Sequence, residues 1–371
     1  MNRYLALVRT VWRLGLRNVL RLIGYRLGIR FRWNRTTRLH AAVSEGQFYG
    51  ETNASARAIG LEASEAWRVD GVLFGWKRLR LSDEPPRWHG DREAGSAGAD
   101  AIKPWWQIPD FDAGYDDIKL VWELSRMDWL LPMAQRAALG DAAQLARANR
   151  WLRDWCMSNP PYFGPNWKCG QEAAIRVLHL ATASLLLGTH ASPGRALLDL
   201  VRAHVKRILP TMAYAKAQDN NHGTSEAAAL FVGGAWLHSR GDVRARSIMN
   251  LGRRTLEERV LRLVATDGSF SQYSVMYHRL LLDTVCFAEI WRRCLGLPRF
   301  SETYTARCAQ AAGWLRAMTD ENTGMAPNIG ANDGANLLPL ARSEHNDMRP
   351  TVQAAYALFV GSRAYEGEGP W

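Results

Sequence analysis

From Tyr115 onward, apolar residues recur at the three-and-four spacing of an amphipathic helix. The pattern predicts helices near 116–138, 141–157, 169–188, 193–217, 222–239, 242–264, 275–295, 302–319 and 350–361. The breaks between them carry turn or cap chemistry: Gly140-Asp141, Asn159-Pro160-Pro161, Ser192-Pro193-Gly194, Asp219-Asn220-Asn221, Gly241-Asp242 and Asp267-Gly268. Helices of similar length joined by short loops pack as antiparallel hairpins. Such hairpins either close into a ring, with inner helices lining a funnel, or stay open as a bundle or solenoid, and periodicity permits both.

Ahead of this region the pattern weakens. Residues 36–110 hold Pro85-Pro86, a Gly/Ala/Ser stretch at 94–99 and scattered aromatics. This reads as an irregular arm with short strands around Val72–Trp76 and no β domain of its own. Residues 1–35 read as a basic amphipathic helix. Arg9, Arg13, Arg17 and Arg21 lie opposite Leu5, Val8, Val11, Trp12, Leu16, Val19, Leu20 and Ile23. A membrane surface and the body of the protein are the two partners such a face fits. Those arginines also interrupt the apolar run that an export signal needs, which favours the cytoplasm or an inner membrane surface. No apolar run reaches the length of a membrane span.

Composition narrows the partners. The formal charge of +11 favours an anionic one: nucleic acid, acidic lipid or acidic polysaccharide. Sixteen tryptophans shift the odds towards sugar, because indole faces stack on sugar rings as well as filling cores. No nucleic-acid-binding module is recognisable. Cys156, Cys169, Cys286, Cys294 and Cys308 lack zinc or disulfide spacing and read as mostly free thiols.

Four segments carry candidate chemistry. Asp219 to Glu226, at a helix start, clusters Asn220, Asn221, His222 and Glu226 where unpaired N–H groups and the positive end of the helix dipole would attract a carboxylate. The plain alternative is that one asparagine only caps the helix. Asp267 to Arg279 is a polar turn feeding a helix, with Gln272, Tyr277, His278 and Arg279. Neighbouring cations would favour the Tyr277 phenolate and let it act as a base, whereas an isolated tyrosine is more often packed between helices. The glycine-rich stretch Asn328 to Ala335, with Asn332 and Asp333, resembles a binding loop, but its oxygen donors are too few for a metal site, and no metal or cofactor is expected. In Asp117 to Arg126, after Trp105-Trp106, Lys119 and Glu123 fit an intrahelical ion pair. Trp122 and Arg126 are candidates to meet a sugar and its carboxylate.

In this order the segments resemble the heparinase II/III-like polysaccharide lyases, which carry similar D-I-K-x-x-W-E-x-x-R, N-N-H, D-G-S-x-x-x-x-x-x-Y-H and G-x-N-D-G stretches. Trp167, Glu172 and Arg176 resemble a further helix motif of that family. The resemblance spans about Trp105 to Asp333. It implies an all-α fold, an α/α toroid of antiparallel hairpins over residues 111–371 that forms an incomplete barrel. It also implies β-elimination on a uronate-containing polysaccharide: the C5 proton leaves, the C4–O bond breaks, and a conjugated double bond remains. In that chemistry Asn221 and His222 would neutralise the uronate carboxylate, and preorganised amide and imidazole donors suit developing negative charge. Tyr277 would be general base, general acid or both, with His278 and Arg279 lowering its pKa or holding it. Asn220, Glu226, Gln272, Trp122, Arg126, Trp167, Glu172, Arg176, Asn332 and Asp333 would help bind the chain. Family members commonly continue into a β-sandwich that supplies another histidine and are commonly exported to the periplasm; no sandwich is expected within these 371 residues, which fits a fragment of a longer protein, a member that works without that histidine, or one that has lost activity. Two rivals stand beside a lyase: a hydrolase using Glu226, Asp267 and Asp333, and a non-catalytic binding toroid, with nucleic-acid binding behind both.

Overall fold

The computed structural model describes residues 15–52, 63–89, 100–109, 118–366 and 369. Arg9, Arg13, Asp117 and the 94–99 stretch lie outside the described residues.

The helices follow the apolar periodicity, and their caps fall where the sequence breaks. After α1 (Leu16–Arg30) and a hairpin of β1 (Asp70–Leu73) and β2 (Lys77–Arg80) come α2 (Lys119–Leu124), α3 (Leu130–Ala138), α4 (Ala142–Ser158) and α5 (Gly170–Leu186). Then follow α6 (Arg195–Ile208), α7 (Met212–Ala217), α8 (Asn221–Ser239), α9 (Ala245–Leu263), α10 (Val275–Cys294), α11 (Glu302–Met318) and α12 (Arg349–Ala355), the last continued by a π turn over Tyr356–Val360. Asp141, Asn220, Ser274 and Ser301 cap α4, α8, α10 and α11 by accepting a backbone N–H. Two expected long helices are split. The 116–138 stretch breaks after Leu124, where Met127 takes a φ of 67°. The 193–217 stretch breaks at a 3-10 turn over Leu209–Thr211, because Pro210 has no N–H to continue the ladder.

Successive hairpins build two layers. Inner helices α3, α5, α8, α10 and α12 pack on one another in sequence, while α4, α6, α9 and α11 pack outside them. Their composition explains the sorting. All nine residues of α3, and α8 from Gly223 to Leu237, are buried, whereas α9 buries one stripe and exposes its arginines. The pairing of α8 with α9 is close because a Cβ on Gly252 would sit 2.3 Å from the Phe231 nitrogen, and one on Gly234 2.6 Å from the Met249 nitrogen. Helices do not complete the ring. Between α10 and α3 the chain runs extended: Leu337 N donates to Asp283, its carbonyl meets His179, and Gln135 reaches the Leu340 carbonyl. The architecture is an all-α, incomplete α/α toroid.

Arm and N-terminal helix lie on this body. Asn149 Oδ1 accepts both the Phe48 and Tyr49 N–H groups, Tyr49 donates to the Leu180 carbonyl, and Arg136 holds the Ser64 and Trp67 carbonyls. Helix α1 packs on α7 with Tyr25 stacked on Tyr214 at 4.2 Å and Asn18 bonded to Asp219. Its described arginines do not oppose the apolar stripe as expected. Leu16, Leu20, Ile23, Leu27 and Phe31 are exposed, and the face turned to the body carries Asn18, Tyr25 and Ile29. Trp129, Trp151, Trp155, Trp167, Trp236 and Trp291 are fully buried, so much of the tryptophan content serves the core.

Candidate active site in the toroid mouth

Inner helices α5, α8 and α10 begin at the same end of the toroid, and a cleft of about 710 Å³ opens there. That volume lies in the range of ligand-binding clefts. Its walls combine residues from all three helix starts: Gln171 and Glu172 from α5, Asn221, His222 and Glu226 from α8, and Tyr277 from α10. The positive ends of three helix dipoles therefore converge on one space, although caps and loop contacts take several of the first-turn N–H groups.

Around α8 the turn Asp219-Asn220-Asn221 is tightly fixed. Asp219 accepts from Arg259 and Arg262, and Asn220, the cap, accepts the His222 N–H. Gln272 Oε1 takes the Asn221 N–H at 2.8 Å, so this glutamine joins the α8 start to the turn before α10. Asn221 is buried and faces the cleft. His222 Nδ1 lies 3.4 Å from Glu226 Oε1. Gly170 makes room for that carboxylate, because a Cβ there would sit 2.6 Å from it.

At α10 the glycine-rich loop is fastened to the helix start. Ser274 Oγ donates to the Ala331 carbonyl and accepts the Tyr277 N–H, while Val275 N donates to Ile329. Gly334, at a φ of 69°, presses on the hairpin turn, where a Cβ would sit 2.0 Å from Phe74. The result sets Asp333 beside Tyr277, with the phenol donating to Oδ2 across 3.4 Å. Burial and then the Asp333 carboxylate push the Tyr277 pKa up to about 12, against a smaller opposing pull from Arg126.

Beneath the cleft is a buried ionic cluster. Arg126 grips Glu172 through Nε at 2.8 Å and Nη2 at 3.0 Å, and Glu123 through Nη1 at 2.5 Å. Burial opposes charge on Glu172, yet Arg126 outweighs it and holds that carboxyl below the usual range. Burial dominates at Glu123 and at Asp128, whose pKa values rise to about 7 despite the same arginine.

Several expected site residues stand elsewhere. His278 is buried, bonds the Ala311 carbonyl and stacks on Trp314 at 4.5 Å. Arg279 is buried and donates to the His345 carbonyl. Neither lines the cleft, because successive helical residues point about 100° apart and Tyr277 alone takes the inward direction. They do not lower the Tyr277 pKa; Arg126 is the cation that opposes its rise. Trp167 and Arg176 are also fully buried behind the wall: Trp167 donates to the Asn159 carbonyl, and Arg176 bonds His204 and the Asn166 carbonyl. Asn332 is exposed, pairs with Asn328 and caps Gly334, shaping the loop rather than facing the cleft. Asp267 is spent on Ser269. Trp122 does line the cleft, with its indole N–H on the Pro165 carbonyl.

The cleft also contains residues that pattern reading missed. Arg207, from the last turn of α6, stacks on Trp105 at 3.5 Å and holds the Trp167 and Lys168 carbonyls. Arg26 and Arg30 of α1, with Trp106 and Lys168, form the far wall. Gln171 is buried in the lining with neither amide atom bonded within the protein, and His222 Nδ1, Glu226 Oε2 and Asp333 Oδ1 are likewise buried without a hydrogen-bond partner. Buried polar atoms are almost always bonded, so these atoms around the cleft are available to a polar ligand or to water.

No family model matches the sequence. No curated protein is similar to it by sequence either. Among solved structures, a crystal structure of heparinase III aligns over 89% of this chain and 52% of its own, with a TM-score of 0.51 and 14% identity. A second heparinase III aligns over 67% and 40% at TM-score 0.44 and 19% identity, and the heparan sulfate lyase of Pedobacter heparinus over 81% and 44% at 0.43 and 16%. This chain thus spans about half the length of the heparinase III it matches. Over that span it has the fold of heparinase III, with the cleft at the mouth of its helical toroid.

Proposed function

We propose that the chain is a polysaccharide lyase that cleaves a uronate-containing polysaccharide by β-elimination. The observation that carries this reading is the meeting of Asn221, His222, Tyr277 and Asp333 around one cleft whose buried polar atoms lack partners. The uronate carboxylate would lie over the start of α8, where Asn221, His222 and the helix dipole offset the negative charge that develops as the C5 proton leaves. Tyr277 takes that proton as phenolate and returns it to the departing O4 oxygen, so the bond broken at C4 leaves a C4=C5 double bond and no water is consumed. A phenol whose pKa is about 12 is a strong base once ionised and readily gives the proton back afterwards. Arg126 is occupied by two carboxylates, so its role is to set the field at the cleft floor, while Arg26, Arg30 and Arg207 supply positive charge along the walls.

The test is ultraviolet absorbance of the chain mixed separately with heparan sulfate, alginate, hyaluronan and a bacterial uronate exopolysaccharide. Heparan sulfate comes first because the fold relative is a heparinase. A rising absorbance from the conjugated double bond, lost by about 100-fold or more in Tyr277→Phe with KM little changed, supports the proposal. Reducing ends without absorbance would replace it with hydrolysis by Glu226 and Asp333. Binding without either signal would leave a non-catalytic toroid.

A further inference from the structure

Among the described residues, helix α1 shows solvent an apolar stripe that the body of the protein leaves uncovered. Leu16 is 72% exposed and Leu20 59%, and Ile23, Leu27 and Phe31 continue the line, with Trp33 72% exposed just beyond. The spacing of four, three, four and four residues keeps these side chains on one face. Arginines border it on both sides: Arg17 along one edge, Arg26 and Arg30 along the other. The opposite face is fixed to the body by Tyr25 on Tyr214 and Asn18 on Asp219, so the stripe is held outward.

We infer that this face docks the protein on an anionic lipid surface, with the helix lying in the plane of the headgroups. Charge selects the occupant. From residue 15 to residue 44 there is no aspartate or glutamate, and His40 apart every ionisable side chain except the Tyr25 phenol is an arginine. A second copy of the chain would set arginines against arginines, which opposes association, whereas acidic headgroups complement them. A leucine and aromatic stripe between arginine edges is the form that buries in the headgroup boundary. Among the described residues no helix is long and apolar enough to cross a membrane. Because Arg26 and Arg30 also form the far wall of the cleft, docking would hold the cleft mouth beside the lipid surface.

Co-sedimentation of the full chain with vesicles tests this without reference to catalysis. We expect binding to phosphatidylcholine vesicles containing phosphatidylglycerol and little to phosphatidylcholine alone. Leu20→Ser with Leu27→Ser should lower the partition coefficient about tenfold or more, and Arg17→Gln about fivefold on the anionic vesicles. Melting temperatures should stay near that of the parent, since all three side chains lie in solvent. Equal binding by the serine variant, or no binding of the parent to either vesicle, overturns the inference. So does a lipid-free dimer in sedimentation velocity that the serine variant abolishes, which would make a second copy the occupant.

Discussion

Replacing Asp333 by Asn tests the electrostatics of the cleft most directly. The substitution keeps the side-chain shape beside Tyr277 and removes the charge. At the 3.4 Å separation a unit charge raises the phenol's ionisation cost by about 1.2 kcal/mol in a water-like dielectric and about 2.4 kcal/mol at half that value. Tyr277 is half-buried, so the lower figure is the better guide, and burial rather than Asp333 is the largest cause of its rise. The Tyr277 pKa should therefore fall by about one pH unit from about 12. Phenolate at neutral pH then becomes roughly tenfold more abundant, part of which is lost because a weaker base is slower, leaving a net rise of about threefold in kcat/KM on the substrate that the absorbance test identifies. The assay is a carbon-13 titration of ring-labelled tyrosine, with the Tyr277→Phe spectrum naming the signal and circular dichroism marking where the fold persists. A titration point unmoved in Asp333→Asn, or moved upward, would refute the assignment of that carboxylate as the partner of the phenol.

Three further outcomes follow from the packing. Arg126→Leu leaves Glu123 and Glu172 buried without their cation and should cost about 3–5 kcal/mol by chemical denaturation; the double variant with Glu172→Leu should recover part of that loss. Asp128, raised by burial to about 7, is protonated in the folded chain where an unfolded one would ionise, so its contribution is complete below about pH 3.8 and is lost as pH rises through about 7. The stability of the parent minus that of Asp128→Asn should thus fall with pH between those limits, whatever the buried histidines add to both curves, and a difference that rises there would contradict the sign. Gly252→Ala forces apart α8 and α9, where a Cβ meets backbone at 2.3 Å, and should lower stability by about 3 kcal/mol; an unchanged melting temperature would contradict so close a crossing.

Local sequence was enough for most of the helices because apolar periodicity and capping are local, while the 116–138 and 193–217 stretches each break into two. Residues 275–295 were expected and 275–294 found, with Ser274 capping, and the breaks at Asp141 and Asn220 became caps. The resemblance in ordered segments also pointed to Asn221, His222, Glu226, Tyr277 and Asp333, which share the cleft. What it could not assign was direction. His278 and Arg279 adjoin Tyr277 in the chain, but a helix turns each successive side chain away from the last, and both enter the core. Trp167 and Arg176 have residue types suited to sugar binding, yet they brace the wall from behind.

Only tertiary structure decided the remainder. Arg207 comes from the end of an outer helix and the far wall from α1, segments that no motif connects to the catalytic candidates. Meeting in space requires the toroid to bring the starts of α5, α8 and α10 to one end, which depends on the sum of hairpin packings rather than on any segment. The same holds for the pKa of Tyr277. The sequence suggested nearby cations that would lower it, but burial and a carboxylate from a loop fifty-six residues onward raise it. By itself, then, the sequence determined which stretches are helical, where they stop and which residue types are available, because these follow from periodicity, caps and composition; the fold decided which of those residues face the cleft, because orientation and electrostatic environment exist only once distant segments are packed together.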